Sequence, residues 1–292
     1  MDMRICKKTT ALVLTGAAIL LGMAGCGTSN PGTGARDGDI SIVAREEGSG
    51  TRGAFVEIMG VVDADGVDAT VQTAEVVNST AVVTQTVVGD PAAIGYISMG
   101  SLDSTVKALA VDGVAATVEH VRDGSYVVSR PFHICYREDG LTDLGRDFIK
   151  FILSAEGQAI VGEKYIAVEE DAGEYTPSGM TGNLSVNGST SVGPVMMELA
   201  EAYRSWNPGV TIDVQQTGSG AGITATLEGT CEIGMSSRDL KAEELAQGLT
   251  SVQIALDGIA VIVNQENPVT GLTTQQIRDI FLGNVTRWSE LG

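Results

Sequence analysis

IVAREEGSGTRGAF, residues 42–55, is the stretch from which the fold is read. Its apolar start belongs to a short strand, Ile40 to Ala44. A polar turn of glycine and hydroxyl residues, Arg45 to Thr51, follows, and a helix runs from Gly53 toward Met59. A strand, a glycine turn and a helix start in that order aim several backbone N–H groups at one place, because the first turn of a helix has no internal acceptors for them.

The same unit returns further along the chain. Strand Leu184 to Asn187 leads into Gly188-Ser189-Thr190-Ser191 and a helix with Val192, Val195, Met196, Leu199 and Tyr203 on one face. Strand Val210 to Gln215 leads into Thr217 to Gly222, and strand Glu232 to Met235 into Ser236-Ser237-Arg238-Asp239, each followed by a helix. Between these units the sequence predicts further elements. Asn78-Ser79-Thr80 caps a helix, strands cover Ala93 to Ser98 and Lys107 to Val111, and Tyr126 to Arg137 is extended. Two helices follow Leu141, a loop spans Glu169 to Gly182, and a long strand, Ile254 to Val263, can connect two domains. Alternating strands and helices predict an α/β fold with mostly parallel sheets.

The chain has 292 residues, 43% of them hydrophobic and 19% charged, so a globular protein of up to two domains is expected. A formal charge of −19 excludes wrapping of nucleic acid by a basic surface. Glycine, at 37 residues, is well above its usual share of about 7%, consistent with many tight turns. Residues 1–25 read as a secretory leader: Arg4, Lys7 and Lys8, then an almost uncharged run ending Met23-Ala24-Gly25-Cys26. Small residues before a cysteine are the pattern of a bacterial lipoprotein signal, with Cys26 acylated. Residues 26–35 have the composition of a flexible tether. Beyond the leader and Cys26, Cys135 and Cys231 remain, each in an apolar run that favours two buried thiols over a disulfide.

Four loops therefore stand at the carboxyl ends of strands, where open α/β sheets bind ligands. All of them offer donors: hydroxyls, helix N-terminal N–H groups and an arginine, a set suited to an oxyanion. Enzyme readings have less to work with. His120 and His133 are the only histidines, and neither a Gly-x-Ser-x-Gly elbow nor a phosphate-cradling Gly-x4-Gly-Lys motif occurs at these loops. No metal-ligand or cofactor motif is read.

The stretches IVAREEGSGTRGAF, AAIGYISMGSL (92–102), FIKFILSAEGQAIVGEKYI (148–166), VNGSTSVGPVMMELAEAY (186–203), QQTGSGAGI (215–223), EIGMSSRDL (232–240), IALDGIAVIVNQENPV (254–269) and TTQQIRDIFLGNVTRWSELG (273–292) together resemble the phosphate-binding lipoproteins of bacterial phosphate ABC transporters. In that family the stretch like GSTSVGP comes first and the one like WSELG runs directly into the one like REEGSGTR. This chain starts near that junction and ends at WSELG, so its order resembles a circular permutation.

The resemblance implies a two-lobed, type II periplasmic-binding-protein-like fold. One lobe would be residues 36–130 plus 259–292 and the other a continuous 131–258. It implies phosphate held by Thr190, Ser191, Ser219 and Ser237 from the continuous lobe and by Arg45, Ser49, Gly50 and Thr51 from the other. It further implies no enzymatic activity, no cofactor or metal, and a monomer tethered outside the cell membrane that delivers phosphate to ABC permease subunits. The alternatives are a binder of sulfate or another tetrahedral oxyanion, and a surface adhesin or sensor without transport. Some relatives carry, at the position of Ser237, an aspartate that accepts the proton of phosphate, and this chain departs from them there.

Overall fold

The computed structural model describes residues 38–168 and 172–291. The leader, Cys26 and the tether lie outside the described residues. The first elements are β1 (Ser41–Arg45), α1 (Gly50–Met59), β2 (Glu75–Val77), α2 (Thr80–Gly89), β3 (Ala93–Ser98), β4 (Val106–Ala108), β5 (Ala110–Val111) and α3 (Val118–Arg122). Next come β6 (Ser129–Arg137), α4 (Asp143–Ile152), α5 (Ala155–Val161), β7 (Ile166–Ala167), β8 (Thr181–Gly188), α6 (Gly193–Trp206), β9 (Gly209–Gln216), α7 (Ser219–Leu227), β10 (Ile233–Ser236) and α8 (Ala242–Ala246). The chain closes with β11 (Leu249–Asn264), β12 (Gly271–Leu272) and α9 (Thr274–Phe281).

One sheet runs through the molecule in the order β2-β1-β3-β11-β6-β10-β8-β9. Its two ends are parallel: β1 with β2 and β3, and β8 with β9 and β10. The middle is antiparallel because β11 and β6 cross between the lobes. Residues 249–258 of β11 pair with β6, and residues 259–264 pair with β3 and β4. The predicted strand at Ile254 to Val263 is therefore the C-terminal part of a longer one.

Separate cores form on the two sides of that crossing. Phe55, Tyr96, Leu109, Val128, Ile259, Val261, Ile277 and Phe281 pack together on one side. Phe132, Phe148, Phe151, Leu184, Val195, Tyr203, Ile233 and Ile254 pack on the other. Phe55 stacks on Tyr96 with ring centroids 4.0 Å apart. The described ends lie side by side, Ile40 N–H donating to Thr286 O at 2.7 Å and Trp288 N–H to Gly38 O. Among the described residues no helix is long and apolar enough to cross a membrane.

Local differences from the sequence reading have identifiable causes. Helix α1 starts at Gly50 rather than Gly53 because the Ser49 side chain accepts Arg52 N–H and caps it there; Gly60, left-handed at φ 68°, ends it. The extended run at Lys107 to Val111 divides, since β4 pairs with β11 and β5 with β12. The loop at Glu169 to Gly182 gives way to β8 at Thr181, which pairs with Gly209.

Cys135 and Cys231 are buried free thiols. Burial pushes Cys135 up to about 12 and also raises Cys231, so both stay protonated.

Candidate functional site

Five strand ends meet between the lobes. The carboxyl end of β1 presents Arg45 and, through the turn, Ser49, Gly50 and Thr51; β2 leads to Thr80 at the start of α2. From the other lobe, β8 presents Ser189 to Ser191, β9 leads to Ser219 at the start of α7, and β10 ends at Ser236 and leads to Ser237. The N-termini of α1, α2, α6 and α7 all belong to these loops, so their partial positive charge accompanies the hydroxyls, and several of their N–H groups donate into the cluster, such as Thr80 N–H to Thr190 Oγ1 and Ser191 N–H to Ser189 Oγ.

The side chains form two hydrogen-bonded groups joined through Ser191 N–H, which donates to Ser189 Oγ at 3.2 Å. Thr51 Oγ1 lies 2.9 Å from Ser191 Oγ, and Thr80 Oγ1 lies 3.1 Å from Ser191 Oγ and 3.2 Å from Thr190 Oγ1. Ser189 donates to Ser237 at 2.9 Å, and Ser219 Oγ is 3.4 Å from Ser237 Oγ while accepting Ser237 N–H at 3.2 Å. Gly50 closes the gap from the opposite side: a Cβ there would lie 2.5 Å from Ser219 Oγ and 2.7 Å from Ser237 Oγ. Arg45, Thr51, Thr80, Ser189, Thr190, Ser191, Ser219 and Ser237 are each no more than 5% exposed. Removing so many hydroxyls from water is costly unless each has a partner, and here they partner one another or the backbone.

Arg45 supplies the charge. Its Nε and Nη2 each donate to the Glu46 carboxylate at 2.8 Å, a bidentate clamp that fixes the guanidinium plane, while Nη1 turns to Thr80 Oγ1 at 3.4 Å. Tyr96, a phenol that burial pushes up to about 12, accepts Arg45 N–H. Arg52 anchors the loop by donating to Arg45 O at 2.6 Å and to Asp68.

At the crossing strands, Arg130 of β6 and Asp257 of β11 form a buried ion pair at 3.2 Å. Burial pushes the Asp257 carboxyl up to about 6 against the pull of Arg130. Arg130 Nε and Nη1 and Asp257 Oδ1 meet no hydrogen-bond partner, so the two buried charges are joined by a single contact where the strands cross.

Seven of the eight anticipated binding residues converge. Ser49 differs, because its hydroxyl accepts Arg52 N–H as the cap of α1. Asp239, the carboxylate nearest Ser237 in sequence, faces outward at 82% exposure and bonds His133, so it does not stand in for an aspartate at 237. Thr80 was not anticipated as a ligand group. The strand before it, β2, has three residues and left no periodic signal, so Asn78-Ser79-Thr80 read as a helix cap alone. No cluster of three or more His, Cys, Asp or Glu able to hold a metal occurs among the described residues.

The sequence and the fold have counterparts among known proteins. A PBP superfamily domain matches residues 27–156 and 173–292. Over 292 residues the chain is 44% identical to Phosphate-binding protein PstS 2 of Streptococcus agalactiae serotype V, covering 98% of this chain and 99% of that protein. The chain belongs to the PBP superfamily and, within it, to the PstS phosphate-binding protein family. The crystal structure of a phosphate-binding protein of a phosphate ABC transporter from Streptococcus pneumoniae matches with a TM-score of 0.69 at 48% identity, over 87% of this chain and 100% of that one. PstS of Pseudomonas aeruginosa matches at 35% identity over 142 residues, 43% of this chain and 44% of that protein. The two-lobed α/β fold is therefore that of a periplasmic-binding-protein-like domain.

Proposed function

We propose that this protein binds inorganic phosphate between its lobes, without chemical turnover, and delivers it to the membrane subunits of an ABC transporter. The observation that carries this reading is the buried convergence of hydroxyls, helix N-termini and one clamped arginine from both lobes on one place. Such a donor set can surround a tetrahedral anion, and closing it requires both lobes. The donors are Arg45, Gly50 and Thr51 from one lobe, joined by Thr80, and Thr190, Ser191, Ser219 and Ser237 from the other. The names borne by the PstS relatives point to the same ligand. On this reading the lobes are residues 36–130 plus 259–292 and residues 131–258, and the two main packing cores, one around Phe55 and Ile259 and one around Phe132 and Ile254, support that division.

The segment order is a circular permutation relative to part of the family. A match over nearly the whole of the streptococcal relative beside one over under half of the Pseudomonas protein supports it.

Titration of the protein with phosphate tests the reading: saturable heat at one site per chain is expected, and no heat overturns it. Competition with sulfate tests selectivity. Serine hydroxyls can accept the proton of phosphate or turn and donate to sulfate, and Asp239 faces away. Discrimination is then expected near the ~1 to 3 kcal/mol of one unsatisfied polar group, about 5- to 150-fold in favour of phosphate. Sulfate binding tighter than phosphate would make the protein a sulfate binder instead.

Attachment to the outer face of the membrane is proposed through acylated Cys26. Cys26→Ala is expected to abolish fatty-acyl labelling and release the protein from membranes. A mutant that fractionates like the wild type would exclude the anchor.

A further inference from the structure

Around the hydroxyl cluster, the two lobes also touch through their backbones. Gly220 N–H, in the first turn of α7, donates to Gly48 O at 2.9 Å. A Cβ on Gly220 would lie 3.3 Å from both Cα and O of Gly48, and a Cβ on Gly48 would lie 3.9 Å from Gly220 Cα. Gly48 is left-handed at φ 81°, a conformation that turns its carbonyl toward α7 and that other residues adopt only at a cost. Neighbouring contacts continue the seam. Glu46 Oε1 is 3.3 Å from where a Gly218 Cβ would stand, and Gly53 faces the Arg238 side chain at 3.6 Å by the same measure.

We propose that Gly48 and Gly220 form a closure latch: a backbone bond, independent of any bound anion, that sets how near the lobes approach and so whether the donors of both can meet one ligand. The proposal rests on the phosphate-binding reading and adds positioning residues to it. The N–H of Gly220 is committed to the opposite lobe and is not a ligand to the anion. Its effect is mechanical: the approach that brings Gly48 O to Gly220 N also brings Thr51 to 2.9 Å from Ser191 and Gly50 against Ser219 and Ser237. The obstacle a Cβ would meet is main chain on the other lobe, which cannot rotate away as a side-chain tip would.

Gly220→Ala separates this role from a role in folding. Gly220 carries no positive φ and sits in a helix, where alanine is favoured over glycine. The melting temperature of the full chain should therefore hold or rise. Phosphate affinity should fall nonetheless, because a protein that reaches its binding-competent state a tenth as often binds about tenfold more weakly. Gly220→Val, with a larger side chain at the same contact, should weaken binding further.

Hydrogen exchange provides a reading that does not depend on ligand identity. The Gly220 amide of the wild type should be protected, and that protection should increase with phosphate. Wild-type affinity in both variants, or a Gly220 amide unprotected with and without phosphate, overturns the latch. If the wild type gives no heat with phosphate, the binding reading fails, and protection of this amide alone decides whether the latch stands.

Discussion

Arg45→Ala is expected to weaken phosphate binding by about 2 to 5 kcal/mol, roughly 30- to 5,000-fold, the range found when one partner of a buried charge-assisted contact is truncated. Two effects add. The anion loses its one clamped cation, and Glu46, bonded at both oxygens to Arg45, is left as an uncompensated carboxylate facing the cleft. Arg45→Lys should recover only part of the loss, because an ammonium cannot engage Glu46 and the anion in one plane. Glu46→Gln separates the terms: with the charge of Arg45 retained and its clamp weakened, affinity should fall much less than in Arg45→Ala. Calorimetric titration of the three variants, with melting curves to establish folding, reads this directly. Wild-type affinity in Arg45→Ala would remove the residue from the site.

How much of this was legible in the sequence depended on element length. Loops after strands with a clear apolar run, β1, β8, β9 and β10, announced themselves, because a periodic strand followed by glycine and serine fixes where a helix N-terminus points. Thr80 follows the three-residue β2, too short for any period to show. The clamp of Glu46 on Arg45 and the latch at Gly220 depend on how two lobes meet, which no local pattern records. Nor did the sequence show that Asp239 turns away. Adjacent to Ser237 within two residues, it is drawn to His133 on the neighbouring strand β6, a pairing set by sheet order.

Asp147→Ala is expected to destabilise the protein by about 3 to 5 kcal/mol, since hydrogen bonds to a charged acceptor contribute about 1.5 to 3 kcal/mol each and do not simply add. Asp147 Oδ2 accepts from Tyr175, Ser178 and Tyr203, each at 2.6 Å, and Asn207 Nδ2 donates to Tyr175 OH at 2.9 Å. Tyr175 and Ser178 belong to the connector before β8, and Asn207 Oδ1 also accepts Gly179 N–H at 3.1 Å. One carboxylate on α4 thus fastens the segment that leads into β8, and truncation leaves two buried tyrosine hydroxyls without it.

Burial favours the neutral acid at Asp147, but the bonds from Ser178, Tyr175 and Tyr203 outweigh it and hold the carboxyl below its ordinary value of 3.8. A lowered native pKa stabilises the fold at pH above that ordinary value, and the contribution is lost as pH falls through the native one. At neutral pH the melting temperature should drop by about 6 to 20 °C for a domain of this size. The gap between wild type and Asp147→Asn should narrow below pH 4. Because the hydroxyl cluster and the latch lie on other elements, phosphate affinity measured well below the melting temperature should stay within about threefold of wild type, as expected for distant sites. A variant that melts like the wild type would show that the connector is held by its other contacts, such as Tyr175 N–H to Glu156 and Ala155 N–H to Gly173 O.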